Sequence, residues 1–359
     1  MKRKIQISVI LCGSSAVLIL FARMMDGFAD FYYEYVYRYV ATLFAYVFGW
    51  LPVSVSEVLL YAILGTVLFC LLRCIVRKVK KKKSNLRLRE RFLHMIVSVT
   101  FFASMMLFLF TINCGVNYHK KAFVATENFQ ERRYSKKELE TVCRTLTKEI
   151  NKISKQLPKT KTGETDYSEN REGRAKNAMK AAAKKYKSLE GYFPNPKGVL
   201  VSPILSYQQV TGIYSPFTVE ANYNTDMPDY LKPFTMCHEL SHLRGIMREG
   251  EANFVAFLAC MNSSDDVVRY SGLMHAYSYC MNELYGYDVN LFKAIRKELC
   301  NEANVDIQQK LEFWEKYDTK VAKVANKMND AYLKANAQAQ GTNSYNQVTG
   351  LIVEYFRKK

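Results

Sequence analysis

The chain has 359 residues, 49% of them hydrophobic, and a formal charge of +18. The length allows one large domain or two ordinary ones, and the charge by itself would suit a nucleic acid or an anionic surface. Its distribution argues against nucleic acid: the basic residues gather beside long apolar runs, without interleaved aromatics, in the positive-inside pattern of a membrane protein.

Lys2, Arg3 and Lys4 precede the first apolar run, Ile5 to Ala22, where Gln6 is the one clearly polar interruption. That run can cross a bilayer. It is long for the core of a secretory signal cleaved near Gly27-Phe28-Ala29, so an uncleaved span over 5–22 is expected. Phe28 to Pro52 is rich in Tyr, Phe and Trp and is interrupted by Gly49 and Pro52, which favours an interfacial or re-entrant segment over a further span. Val58 to Val76 is the second span, with Arg73 near its basic end. A basic cluster from Arg77 to Arg91 follows, then the third span, Phe92 to Cys114. A cytoplasmic amino terminus and 77–91 loop, with the remainder extracytoplasmic, satisfy the whole charge asymmetry. The expected division is a membrane domain over 1–116, whose partner is the lipid bilayer, and an extracytoplasmic domain over 117–359.

Beyond the third span, Leu139, Val142, Leu146, Ile150 and Ile153 recur at helical steps. Ser135 and Glu138 form a capping box ahead of them. Pro158 to Glu172 is polar and reads as a loop, and Arg174 to Leu189 as a charged helix. Val199 to Tyr207 and Gly212 to Asn222 are rich in β-branched and aromatic residues and read as strands. From Pro233 onward the pattern is helical: the segment after Pro233, then Glu249 to Cys260, Val267 to Tyr285, Leu291 to Ala303, Gln308 to Ala337 and Tyr345 to Phe356. Of nine Cys none forms a C-x-x-C pair, which suits small buried hydrophobes better than a disulfide framework.

The helix after Pro233 carries His238-Glu239-Leu240-Ser241-His242. Two His four residues apart lie one above the other on a helix face and can reach one metal ion, with the intervening Glu placed for its water. A catalytic zinc takes three protein ligands and keeps a fourth position open. Glu249 and Glu251 compete to be the third. They point about 200° apart on a helix, so one alone can face the metal. Glu249 shares its face with Ala252, Asn253 and Ala256, small or polar residues that permit close approach, and is preferred. Asn253 is placed to hydrogen-bond a ligand.

The pattern His238-Glu239-x-x-His242 followed by Glu249-x-x-Ala252-Asn253 resembles the gluzincin metallopeptidases. In their membrane heat-shock and prenyl-processing members the second element reads Glu-x-x-Ala-Asp. In those that cleave phage-type repressors it is commonly Glu-x-x-Ala-Asn. The chain is also similar to an uncharacterised bacterial membrane family, a domain of unknown function, through TGIYSPFT, PFTMCHELSHLRG, EANFVAFLAC, RYSG and AYLKANAQAQG…SY. These resemblances imply an α+β, mostly helical fold, with three amino-terminal transmembrane helices before a zincin-like domain containing a small sheet. They imply Zn2+ on His238, His242 and Glu249, and a metallopeptidase in which zinc-activated water is deprotonated by Glu239. The substrate would be a peptide or protein, for instance one of the cell envelope. His275, Tyr223, Tyr270 and Tyr345 are candidates to stabilise the oxyanion, and an edge strand near the site would align the substrate. Two other readings are a non-catalytic membrane protein held together by structural zinc, and a zinc hydrolase acting on a non-peptide envelope amide. Glu239 weighs against the first, since a structural site needs no general base.

Overall fold

The computed structural model describes residues 1–79, 88–130, 132–342 and 347–359. Among the described residues, three helical stretches are long and apolar enough to cross a membrane: Lys2–Met24, Val55–Arg73 and Phe92–His119. They belong to helices α1 (Lys2–Met24), α4 (Val55–Val79) and α5 (Leu88–Phe110), the last continued by a π turn (Thr111–Gly115) and a 3-10 turn (Val116–His119). Large side chains such as Val9, Leu68 and Val99 point away from the protein. Helices α1 and α5 run parallel. Lys4 Nζ, near the start of α1, donates to Ser98 Oγ midway along α5 at 3.1 Å, and Ile19, near the end of α1, meets Gly115 just past α5. The amino terminus and the start of α5 therefore share one side. Residues 80–87 of the expected basic loop lie outside the described residues.

Between the first and second of these helices, α2 (Phe28–Tyr32), a π turn (Tyr33–Tyr37) and α3 (Arg38–Gly49) form one continuous rod. Its inward face carries Ala29, Ala41 and Ala45, small residues that let it lie close to the rest of the protein, and the fully buried Tyr37. Tyr46 stacks on Tyr192 with ring centroids 4.0 Å apart. Phe31, Tyr35, Tyr39, Leu43 and Trp50 remain open on the opposite face.

The remainder is mostly helical. Helix α6 (Phe123–Thr126) is followed by α7 (Lys136–Ser154), which begins with the expected reciprocal Ser135–Glu138 capping box. Helix α8 spans Arg171–Ala183, starting and ending earlier than the composition suggests. A three-stranded sheet has the order β1-β3-β2, with β1 (Lys197–Gly198) parallel and β2 (Gly212–Ser215) antiparallel to β3 (Glu220–Tyr223). Two strand expectations are corrected here. Val199 to Tyr207 is not a strand: it contains helix α9 (Ser202–Tyr207), with a proline in its first turn, and the Glu57 carboxylate accepts the Leu200 and Val201 N–H groups that a ladder would need. Gly212 to Asn222 is a hairpin rather than one strand, reversing at Pro216–Val219, where Val219 adopts φ +54°.

Helices α10 (Lys232–His242), α11 (Glu249–Met261) and α12 (Asp266–Tyr287) pack together, and α10 is buried along its whole length. Helices α13 (Val289–Lys297), α14 (Asn301–Glu315) and α15 (Lys320–Ala335) replace the two helices expected over 291–303 and 308–337. Side-chain caps from Asp288 and Thr319 start α13 and α15 afresh. Helix α16 (Val348–Arg357) closes the chain. One continuous core joins the α2–α3 rod to α7, α10, α11, α12 and α16.

Candidate metal centre

Helix α10 is held at both ends by side chains from far along the chain. Ser271 Oγ accepts the Phe234 N–H at 3.1 Å, while Tyr37 donates its hydroxyl toward the His242 and Leu243 carbonyls at 3.2 and 3.3 Å. Gly245, at φ +68°, lets the chain turn away directly afterwards. A Cβ there would lie 2.9 Å from the Tyr33 ring, so glycine serves both the turn and the close approach of the rod.

The two imidazoles and one carboxylate converge. His238 Nε2 and His242 Nε2 are 3.2 Å apart, and Glu249 Oε2 lies 3.2 Å from the first and 4.0 Å from the second. A tetrahedral zinc with bonds of about 2.0–2.1 Å keeps its ligand atoms about 3.3 Å apart, so the three donors have nearly the spacing such an ion needs. Their other nitrogens are already committed. His238 Nδ1–H donates to Asn253 Oδ1 at 2.9 Å, and His242 Nδ1–H to the Ile246 carbonyl at 2.6 Å. These bonds select the tautomers that leave both Nε2 lone pairs aimed at the shared point. The Glu249 N–H is itself held by Gln338 Oε1 at 3.1 Å.

His238, Glu239, His242 and Glu249 are 9%, 5%, 7% and 8% exposed. Burial pushes Glu239 up to about 8 and His242 down to about 4. Burial also opposes a charged His238, but its hydrogen bond to Glu249 and the charge of Glu239 outweigh this and raise it. Burial thus holds Glu239 and His242 toward their neutral forms, while His238 is drawn toward its charged form by Glu249.

Strand β2 borders the site. It is an edge strand, and its Tyr214 N–H bonds the Glu239 carboxylate. A Cβ on Gly212 would fall 2.6 Å from Glu239 Oε1, so the strand and the helix touch where only a hydrogen fits. The Tyr214 ring centroid lies 5.8 Å from that of His242, and its hydroxyl donates to the Asn113 carbonyl at 3.2 Å, just past the end of α5.

Of the residues singled out from the sequence, His238, Glu239, His242, Glu249 and Asn253 meet here. Glu251 does not: its carboxylate accepts the Val124 N–H at 3.0 Å. Cys237 faces the Ala175 carbonyl at 3.7 Å. Tyr223 donates to Glu172 and Tyr270 to Asp306, so both are turned away from the cluster, and Tyr345 lies outside the described residues. His275 stacks on Phe234, one helical turn before His238, with ring centroids 3.9 Å apart. Its Nδ1–H donates to the Ser271 carbonyl at 3.0 Å, and burial pushes it down to about 3, so it is neutral. Sequence reasoning missed Tyr37, Tyr214, Gly212 and Gln338. It also missed Tyr279, whose phenol is raised by burial and by nearby Glu249. Their only signal was membership of the aromatic run, of the expected strand and of the AYLKANAQAQG segment.

Fold and site together define a mostly helical protein in which a buried His–His–Glu cluster sits beside an edge strand, close to the end of a membrane-length helix. The chain belongs to the DUF3810 family, proteins of unknown function, whose model matches residues 32–353. Neither curated proteins nor solved structures yielded a match.

Proposed function

We propose that this protein is a membrane-anchored zinc hydrolase of gluzincin type, acting on peptide bonds. The observation that carries the reading is the convergence of His238 Nε2, His242 Nε2 and Glu249 Oε2 within 3.2–4.0 Å of one another, with Glu239 adjacent in sequence. The three side chains suit zinc because both spare imidazole nitrogens already have acceptors. When bound, the cation supplies Lewis acidity, lowering the pKa of water to about 7 and polarising a scissile carbonyl. Glu239 takes the proton from the attacking water and returns it to the leaving amine. Asn253 and the Ile246 carbonyl keep the imidazoles oriented. An extended peptide added along the free edge of β2 places its backbone beside Glu239, which favours a peptide over other amides. His275 is close but neutral and is a packing residue in this reading.

The charge pattern supports a cytoplasmic amino terminus and an extracytoplasmic metal centre. Reporter fusions after Met24 and at the carboxy terminus test this, and a cytoplasmic carboxy terminus would overturn it.

The test of the chemistry uses the full chain in nanodiscs. Elemental analysis should find about one zinc per chain, lost in His238→Ala. Glu239→Gln should keep the zinc and lose about 10²–10⁴-fold in cleavage of a fluorogenic peptide mixture. A wild-type protein that takes up no zinc, or wild-type activity in Glu239→Gln, sinks the proposal. Unchanged zinc in an inert wild type would favour the structural alternative.

A further inference from the structure

Two short elements leave large apolar side chains uncovered. On α15, Val321, Val324, Met328 and Tyr332 are 53%, 57%, 69% and 41% exposed, while Ala322 and Leu333 face the core. The four exposed residues recur at three- and four-residue steps and form one stripe, flanked on one side by exposed Lys320, Lys323 and Lys327. On α9 and the turn before it, Leu200, Val201, Ile204 and Tyr207 are 62%, 42%, 50% and 50% exposed.

Both elements are tied to ends of membrane-length helices. Glu57, in the first turn of α4, accepts the Leu200 and Val201 N–H groups at 2.8 and 3.0 Å. The Tyr332 ring lies 6.3 Å from that of Phe110, at the end of α5, and its hydroxyl 3.2 Å from that of Tyr118. Those helix ends lie at one level, because both meet the β2–β3 hairpin. Glu220 accepts the Val55 and Ser56 N–H groups, and Asn113 Nδ2 donates to the Pro216 carbonyl at 2.8 Å. Tyr317, just before α15, packs edge-on against Tyr207 of α9 at 5.0 Å. Helix α15, about 24 Å long, therefore reaches from one membrane-level anchor to the other and lies along that level.

We propose that α9 and α15 are a lipid-seating surface. Their apolar stripes enter the headgroup–acyl boundary at this end of the three helices, with the α15 lysines at the phosphates. The inference rests on the reading of those helices as spans and is independent of the metal. The occupant is lipid because the open flank of α5, where Leu107 is 47% exposed, runs directly into Tyr332, and because a row of lysines beside an apolar stripe matches a phosphate-bearing interface. The seating reaches the metal centre: Gln338, three residues beyond α15, accepts the Glu249 N–H.

The test is thiol accessibility on the full chain in phosphatidylethanolamine–phosphatidylglycerol nanodiscs, with a membrane-impermeant maleimide polymer and the wild-type background subtracted. Ile204→Cys, Val324→Cys and Met328→Cys should label at least about tenfold more slowly than Lys323→Cys on the wet side of the same helix. Leu68→Cys, within α4, should be protected. Equal rates at 323, 324 and 328 would overturn the lipid seat. Free labelling of Leu68→Cys would instead overturn the span reading beneath it.

Discussion

Asn253→Ala is the sharpest probe of the candidate metal centre, because it replaces no proposed ligand. Asn253 Oδ1 accepts the His238 Nδ1–H at 2.9 Å, and both side chains are buried. The substitution leaves that N–H unpaired, at a cost of about 1–3 kcal/mol. The cost falls on the metal-free protein as well, so it does not pass wholly into affinity. It is larger with zinc bound, since an imidazole sharing its Nε2 lone pair with a cation carries more positive charge at Nδ1–H. The difference should weaken zinc binding about 10–100-fold, or about 1.4–2.8 kcal/mol. Asn253→Asp keeps an acceptor and should bind at least as tightly as wild type. Competition against a chromophoric chelator on the full chain measures the affinities, and the melting temperature of the metal-free variants separates a folding loss. An Asn253→Ala protein with wild-type zinc affinity would refute the orienting role, as would equal losses in the Ala and Asp variants.

Gly212→Ala should keep zinc but lose most peptide cleavage, because the added methyl meets Glu239 2.6 Å away; cleavage at the wild-type rate would show that the strand yields freely. Glu220→Gln should destabilise the chain by about 3–5 kcal/mol, leaving Lys197 charged where the pair is 4% and 2% exposed. Lys197→Met added to it should recover part of the loss, measured by denaturant unfolding in micelles, and no recovery would contradict the assignment. His275 should shape acid stability. Its folded value of about 3 lies below the ordinary 6.5, so between those pH values the unfolded chain binds a proton that the folded chain does not. Stability then falls as pH drops from about 6.5, by at most about 1.4 kcal/mol per unit. His275→Phe, which keeps a ring against Phe234, should flatten that slope, and an unchanged slope would refute the attribution.

Much of this architecture is legible from local patterns. The three long apolar runs, the Ser135–Glu138 box and the placement of Pro233 ahead of the His pair are short-range signals, and the structure carries each of them. The face argument at Glu249 also uses local spacing alone. Strand assignment failed where distant groups decide. Val199 to Tyr207 has strand composition, but Glu57, some 143 residues away, takes its N–H groups. The hairpin reversal lacks an Asn-Gly or Asp-Gly pair and depends on Val219 entering a left-handed conformation. The oxyanion candidates were chosen by residue type, which says nothing about direction; Tyr223 and Tyr270 each found a carboxylate elsewhere.

The bonds from Tyr37 to the end of α10, from Glu57 to the turn before α9 and from Tyr214 to Asn113 all cross the boundary that hydropathy draws near residue 116. The protein consequently has no seam there. A protease nicking the chain after its third apolar run would not shed a working ectodomain. Pulling the two sides apart would strip the helix bearing both histidines of its carbonyl caps and bare one end of the sheet, so the parts on either side of residue 116 stand or fall together.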